Sequence, residues 1–153
     1  FGGKITTYRK LAEHALQIIT RQLGTRDAPW TAKEPLPGGD FPNASFDDAF
    51  AHYAKRYDWI DHRLLKRLLR AYGARIDMII GTATKIDDLG VCYGHDLYEA
   101  ELRYLIDHEW VRKIDDLIWR RSKLGLRLSS EQIAALENRL AQIDADPKSV
   151  AAE

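Results

Sequence analysis

Apolar residues recur every three or four positions along most of this chain of 153 residues, which is the spacing of amphipathic α-helices. One apolar face is especially regular: Leu64, Leu65, Leu68, Leu69 and Tyr72. Asp61 precedes this face and is a good helix cap, and Gly73 follows it and is a good stop. No stretch of the sequence shows the sustained alternation of a half-buried strand. The main part of the chain is therefore predicted to be all-α.

The same spacing predicts the other helical segments and their ends. The predicted helices are Thr7 to Leu23, Ser45 or Asn43 to Arg56, Asp61 to Gly73, Ile76 to Ala83, Tyr98 to Trp110, Ile114 to Lys123 and Ser129 to Ile143. Thr6 is predicted to cap the first of them and Gly24 to end it. Residues 98–110 and 114–123 could form one continuous helix. Ser129 and Gln132 have the spacing of a capping box.

Proline and glycine divide the chain into parts. Every proline except Pro147 lies between residues 25 and 44, which predicts an extended linker. The predicted organisation is a short leading piece at 1–24, the linker at 25–44, a multi-helix domain at 45–145 and a tail at 146–153.

Composition narrows the class of protein. The 23 Lys and Arg residues balance 23 Asp and Glu, which argues against a nucleic-acid binder. A single cysteine, Cys92, excludes a disulfide framework. No apolar run approaches the length of a membrane span, and the start lacks the pattern of a signal peptide. Because the chain opens at Phe1 and its one methionine is Met78, we expect a fragment of a longer protein.

The glycine-rich start is the sharpest candidate for binding chemistry. Gly3 permits close backbone approach, and Lys4, Thr6 and Thr7 precede a predicted helix whose N-terminus favours a negative group. The segment is not a phosphate-binding Walker loop, because Ile5 follows Lys4 where Ser or Thr is required. From the residues alone, a glycine turn before a capped helix is favoured over an anion site.

Other polar clusters favour structural roles. Cys92 and His95, with Asp96 and Glu99 nearby, are too few for a usual zinc site, so no metal is predicted. The basic stripe, defined as Arg63, Lys66, Arg67 and Arg70, could contact anionic lipid or nucleic acid, but a solvated face is favoured. Mixed charges between residues 99 and 123 predict ion pairs between helices. Four aromatic residues are expected to fill the core or a subunit contact: Trp59, Tyr104, Trp110 and Trp119.

Several motifs in one order resemble a known family. They are Gly2-Gly3-Lys4, Thr6-Thr7-Tyr8-Arg9, Leu36-Pro37-Gly38-Gly39, Tyr72-Gly73, Asp88-Leu89-Gly90, Tyr98 to Tyr104 and Arg120-Arg121-Ser122-Lys123-Leu124-Gly125. Together they resemble the end of the FAD domain and the helical C-terminal domain of aerobic, FAD-dependent glycerol-3-phosphate dehydrogenases. The family usually has Thr at the position of Ser122.

The resemblance implies a function for the longer protein. Such enzymes oxidise glycerol 3-phosphate to dihydroxyacetone phosphate, pass the hydride to FAD and deliver electrons to a membrane quinone on the cytoplasmic face. Gly3, Lys4, Thr6 and Thr7 would then lie near the cofactor. The G-x-G-x-x-G fingerprint that grips FAD is absent from this sequence, as are the family's upstream substrate residues. The chain by itself is therefore predicted to be structural and inactive, with no catalytic residue of its own.

A second interpretation comes from a different class of protein. The basic stripe would suit a free-standing helical interaction module, resembling a helix-turn-helix, that binds nucleic acid through Arg63, Lys66, Arg67 and Arg70. The balanced charge of the chain favours the enzyme fragment instead. The expected partner is then the FAD domain of the same enzyme, and the enzyme could also form a homo-oligomer.

Overall fold

The computed structural model describes residues 4–24, 28–41, 43 and 45–145. These residues form six α-helices: α1 (Tyr8–Leu23), α2 (Phe46–Arg56), α3 (His62–Tyr72), α4 (Ile76–Ile80), α5 (Glu99–His108) and α6 (Ser130–Asp144). A π-helix (Asp116–Arg121) lies between α5 and α6, and short 3-10 turns connect several of these elements. Within these described ranges no strand is formed beyond an isolated bridge between Cys92 and Tyr98. The all-α prediction is confirmed.

The chain divides into two compact units. The N-terminal unit is Phe1–Leu36 and contains α1, and the helical unit is Pro37–Glu153 and contains the other helices. The division falls within the segment 25–44 that the sequence marks as a linker. The tail at 146–153 lies outside the described residues.

Helix ends follow local chemistry. The hydroxyl of Ser45 accepts a hydrogen bond from the Asp48 amide, the carboxylate of Asp61 accepts from two amides of α3, and Ser129 forms a capping box with Gln132. Gly24 ends α1 in the left-handed conformation, with φ of 76°. These caps and stops confirm the predictions made for them, with Ser45 as the cap of α2.

Three predicted helix boundaries were wrong. The N-cap of α1 is Thr7 rather than Thr6. The helix predicted to reach Ala83 ends at Ile80, because Gly81 takes a φ of 57° that other residues rarely adopt. Residues 98–110 and 114–123 do not form one helix: α5 ends at His108, and Trp110 has a positive φ that breaks the helical path.

The core belongs to the helical unit. The buried apolar side chains of the described residues lie between Ala49 and Ile143 and come from all five helices of this unit and from its connecting segments. The predicted face of α3 contributes Leu64, Leu65, Leu68 and Leu69, each at most 4% exposed. Burial of such side chains is the main stabilising term of the unit.

The N-terminal unit buries little apolar surface. Glu13 is the buried residue of α1, and its carboxylate accepts hydrogen bonds from Thr31 and Arg9. The apolar side chains of the unit are instead exposed to solvent: Ile5, Tyr8, Leu11, Leu16, Ile18, Ile19, Leu23, Trp30 and Leu36. The predicted helix forms, but its apolar side chains remain about half exposed or more.

Candidate functional site

The predicted binding residues lie at the start of α1. Lys4 precedes a 3-10 turn (Ile5–Thr7), and Lys4, Thr6 and Thr7 are all exposed. The Thr7 hydroxyl donates to the Lys4 carbonyl at 2.8 Å, so it does not cap α1, and no side chain does. The segment thus presents one cation beside an uncapped helix N-terminus, which favours a negative group. Gly3, the fourth predicted residue, lies outside the described residues.

One buried carboxylate organises polar contacts inside the helical unit. Glu101, on α5, is 2% exposed and accepts two hydrogen bonds from the Arg67 guanidinium, at 2.8 and 2.6 Å. The Tyr72 hydroxyl also donates to Glu101 at 2.6 Å. Burial and then the Glu101 charge raise the pKa of Tyr72, so its phenol keeps the proton it donates. The three side chains tie α3 to α5.

This arrangement corrects the prediction of a solvated face for one member of the basic stripe. The side chain of Arg67 is only 28% exposed, because its guanidinium turns inward to Glu101 and to the carbonyl of Asp96. Arg63, Lys66 and Arg70 are exposed, as predicted. All four residues line a single cavity, together with side chains that are distant in sequence.

The residues considered for a metal are engaged elsewhere. Glu99 pairs with Arg139 at 2.6 Å and with Arg103 at 2.9 Å, and Asp96 pairs with Arg63 at 3.0 Å. Cys92 is an exposed free thiol. Among the residues that the structure describes, no cluster of three or more His, Cys, Asp or Glu side chains could hold a metal ion.

The mixed charges between residues 99 and 123 form ion pairs. Arg103 with Glu99 and Arg120 with Asp116 pair one helical turn apart. Such arrangements neutralise carboxylates and leave them poorly suited to proton transfer. Each of these pairs lies within one helix, whereas the sequence predicts pairs between helices. Glu101 and Glu99 do form such pairs, with Arg67 on α3 and Arg139 on α6.

The aromatic residues divide between core and surface. Tyr104 is buried, and Trp59 packs partly buried against the core. Trp110 is 79% exposed and Trp119 is 40% exposed, which excludes a core position for both, and the alternative of a subunit contact stays a prediction. Trp110 follows the end of α5 in a backbone with positive φ, and the ring of Trp119 covers Gly125 instead.

Two motifs of the resemblance meet in space, which sequence reasoning missed. The Ala74 amide, directly after Tyr72-Gly73, donates to the Gly38 carbonyl at 2.9 Å. A Cβ atom at Gly73 would lie 1.9 Å from that carbonyl oxygen, so only glycine fits there. In the sequence, Gly38-Gly39 and Tyr72-Gly73 stand out only as two separate glycine motifs, and nothing in them indicates that they contact each other.

None of the helices in the described part of the chain is both long and apolar enough to span a bilayer.

Comparison with known proteins gives consistent matches over most of the chain. Residues 29–147 match the family model described as the C-terminal domain of alpha-glycerophosphate oxidase. The chain is 46% identical to the aerobic glycerol-3-phosphate dehydrogenase of Escherichia coli over 132 residues, which is 86% of this chain. It is 45% identical to a glycerol-3-phosphate dehydrogenase of Pseudomonas aeruginosa, also over 86% of this chain. These matches confirm the resemblance to the C-terminal domain of this family; that residues 1–24 are the end of an FAD domain stays a prediction.

A third relative carries a different substrate in its name. The chain is 39% identical to a D-erythritol 1-phosphate dehydrogenase of Brucella abortus over 138 residues, which is 88% of this chain and 27% of that relative. The chain spans 26% of the length of each of the first two relatives. It therefore corresponds to about a quarter of the proteins it matches.

Proposed function

Because the chain belongs to the family of the C-terminal domain of alpha-glycerophosphate oxidase, we propose that it is part of an FAD-dependent glycerol-3-phosphate dehydrogenase. The whole enzyme would oxidise glycerol 3-phosphate to dihydroxyacetone phosphate and deliver the electrons to a quinone. The observation that carries this proposal is the similarity to two glycerol-3-phosphate dehydrogenases over most of the chain. The helical unit then has a structural role, and the chain alone is inactive.

The N-terminal unit would contact the FAD domain of the same enzyme. The exposed apolar face of α1 supports this contact, since an amphipathic helix normally buries its apolar face against another element. Leu11, Ile18 and Ile19 are each about half exposed, which leaves a large area for such a contact.

The residues at the start of α1 would contact one edge of the flavin ring, and the rest of the FAD would need other binding residues. FAD, when bound by the whole enzyme, would accept the hydride from the substrate. Lys4 and the uncapped N-terminus of α1 would favour negative charge on the flavin or on the substrate phosphate. Thr6 and Thr7, both exposed, could add polar contacts, with Gly3 beside them. The G-x-G-x-x-G fingerprint is absent from this sequence, so other parts of the enzyme must hold the pyrophosphate.

We place the whole enzyme peripherally on the cytoplasmic face of the membrane, because a quinone acceptor dissolves in the bilayer and must be reached from its surface. The exposed Trp110 is a suitable residue for a contact between subunits of a homo-oligomer.

The test uses the full-length enzyme without oxygen. Addition of glycerol 3-phosphate should bleach the flavin absorbance, and D-erythritol 1-phosphate should do so far more slowly. If only D-erythritol 1-phosphate bleaches the flavin, the substrate of the enzyme is a polyol phosphate other than glycerol 3-phosphate. A full-length protein without flavin would contradict the proposal.

The same assay tests the role of Lys4. Lys4→Ala should slow bleaching by about tenfold or more, because a charge-assisted contact near the reacting groups is lost. Lys33→Ala is the matched control, since Lys33 is an exposed lysine of the same unit whose side chain forms no hydrogen bond or ion pair with the described residues. Equal rates in the two variants would remove Lys4 from the site.

A further inference from the structure

A basic cavity of about 850 Å³ lies in the helical unit, between α3 and the segment after the π-helix. Six cationic side chains line it: Arg63, Lys66, Arg67, Arg70, Lys123 and Arg127. Its volume falls in the range of small-molecule sites. The concentration of positive charge is unusual in a chain whose formal net charge is zero.

Most of this charge has no counter-charge in the protein. Asp96 is the one carboxylate of the lining, and it already pairs with Arg63 at 3.0 Å. Lys66, Arg70 and Arg127 form no ion pair with any described residue. Lys123 donates to the carbonyl of Trp119, which leaves its charge uncompensated. Four neighbouring cations that pair with no carboxylate of the described residues repel one another, and an anion in the cavity would relieve that repulsion.

The floor of the cavity is held in place by buried groups. Arg67 is fixed by its two hydrogen bonds to Glu101, so little side-chain entropy is lost when an anion binds beside it. The Nε of Arg67 is itself buried, so the guanidinium is held from within the helical unit.

Cations from separate parts of the chain converge on this cavity. Arg70 is held over the ring of Phe46, with its guanidinium carbon 5.6 Å from the ring centre. Lys123, two residues after the end of the π-helix, takes a left-handed backbone with φ of 60°. Strained residues and π-helices are both enriched at binding sites.

We propose that this cavity binds an anion that carries phosphate groups. Arginine forks and lysine ammonium groups are the side chains that recognise phosphate, and four uncompensated cations match a multiply charged group better than a single carboxylate. A free organic or inorganic phosphate and the headgroup of an acidic phospholipid share this chemistry. All the residues that line the cavity belong to the helical unit, and anion binding there does not depend on the dehydrogenase activity proposed above.

The experiment is a titration of the 153-residue chain with pyrophosphate and, separately, with phosphatidylglycerol vesicles against phosphatidylcholine vesicles. Calorimetry should give a dissociation constant below about 1 mM for at least one of the two anionic probes. The double variant K66Q/R127Q should weaken that binding by about a hundredfold, since two charge-assisted contacts are removed. Both side chains are exposed, so the fold should persist, which far-UV circular dichroism checks.

A matched control separates a site from general charge. Lys55 is exposed on α2, lies outside the cavity lining and forms no side-chain hydrogen bond or ion pair with the described residues. K55Q should therefore bind within about twofold of the unaltered chain. Pyrophosphate binding lost in K66Q/R127Q supports a free phosphate ligand. Vesicle binding alone, lost in the same variant, supports a lipid headgroup. Binding to neither probe, binding retained in K66Q/R127Q, or equal weakening in K55Q would overturn the proposal.

Discussion

Arg67 and Glu101 form one ion pair but differ in how deeply they lie. The side chain of Glu101 is 2% exposed and that of Arg67 is 28% exposed. Arg67→Met would leave the carboxylate buried without its cation, at a cost of about 3–5 kcal/mol in the free energy of unfolding. Glu101→Leu should cost less, because the freed guanidinium can turn toward solvent. Urea denaturation of the two variants measures the difference.

A double variant separates the charge effect from lost packing. R67M/E101L should recover part of the stability lost in R67M alone, because it leaves no unpaired charge in the interior. Lys55→Met, an exposed surface change, should stay within about 0.5 kcal/mol of the unaltered chain. If E101L lowers the free energy of unfolding as much as R67M does, the deeper burial of the Glu101 carboxylate is not what makes the loss of Arg67 destabilising.

Side-chain hydrogen bonds could be predicted from the sequence only where the two bonded residues lie close together along the chain. Ser45, Asp61 and Ser129 were identified as caps because each bonds amides two or three positions away. Arg67 and Glu101 are 34 positions apart, so their pairing depends on how α3 packs against α5. Arg67 therefore resembled its exposed neighbours on the basic stripe, and nothing local distinguished it.

At the scale of elements, Gly73 and Gly81 offer a matched pair of helix ends. Their backbones are nearly alike, with φ and ψ of 59° and −137° at Gly73 and of 57° and −121° at Gly81. A Cβ atom at Gly73 would clash with the Gly38 carbonyl oxygen, whereas a Cβ atom at Gly81 would meet nothing within 4 Å. Gly73→Ala should therefore lower the free energy of unfolding by about 1–3 kcal/mol more than Gly81→Ala.

Thermal or urea unfolding of the two alanine variants, each compared with the unaltered chain, gives that difference. Both changes share the backbone strain of a positive φ, so the comparison isolates the contact between the two glycine motifs. Equal losses would mean that residues 37–39 move aside without cost.

Glu99 links α5 to α6 through Arg139, and this link should depend on pH. Burial acts to raise the pKa of Glu99, but hydrogen bonds from Arg139, Tyr93 and Arg103 outweigh it and lower the pKa to about 2. The unfolded chain has the ordinary value of 4.5. A lowered pKa stabilises the fold above pH 4.5, and this contribution is lost as the pH falls toward 2.

Denaturant unfolding between about pH 6 and pH 3 tests this link. Glu99→Gln should lower stability at pH 6 and lose stability less steeply than the unaltered chain as the pH falls. Asp107→Asn removes an exposed carboxylate of the same helix and should keep the original slope. A Glu99→Gln profile parallel to that of the unaltered chain would contradict the assignment.

The helices themselves were more predictable than the positions at which they end. Apolar spacing located α1, α2, α3 and α6 because residues three and four positions apart share one face of a helix, whether or not that face is buried. The end of α5 was misplaced by two residues, since Trp110 continues the apolar pattern while its backbone leaves the helix. The spacing of residues 114–123 likewise cannot distinguish the α-helix predicted there from the π-helix that forms.

At the scale of the whole molecule, the two units differ in how apolar residues are used. In the helical unit such residues make a continuous core, and in the N-terminal unit they remain exposed. The sequence shows similar periodicity in both, so it cannot reveal which apolar face is buried within the chain. Burial depends on what else is present, and this chain spans only 26% of the length of each of the first two relatives.

The helical unit should therefore fold by itself. Residues 37–145 contain the whole described apolar core, so this segment should unfold cooperatively, with a midpoint within about 5 °C of the 153-residue chain. Residues 1–36 alone should show little helix, because one short helix without apolar burial is marginal in water. Thermal scans by far-UV circular dichroism measure both segments. A broad, non-cooperative transition for residues 37–145 would mean that the core needs the N-terminal unit, and the exposed face of α1 would then have a role inside this chain.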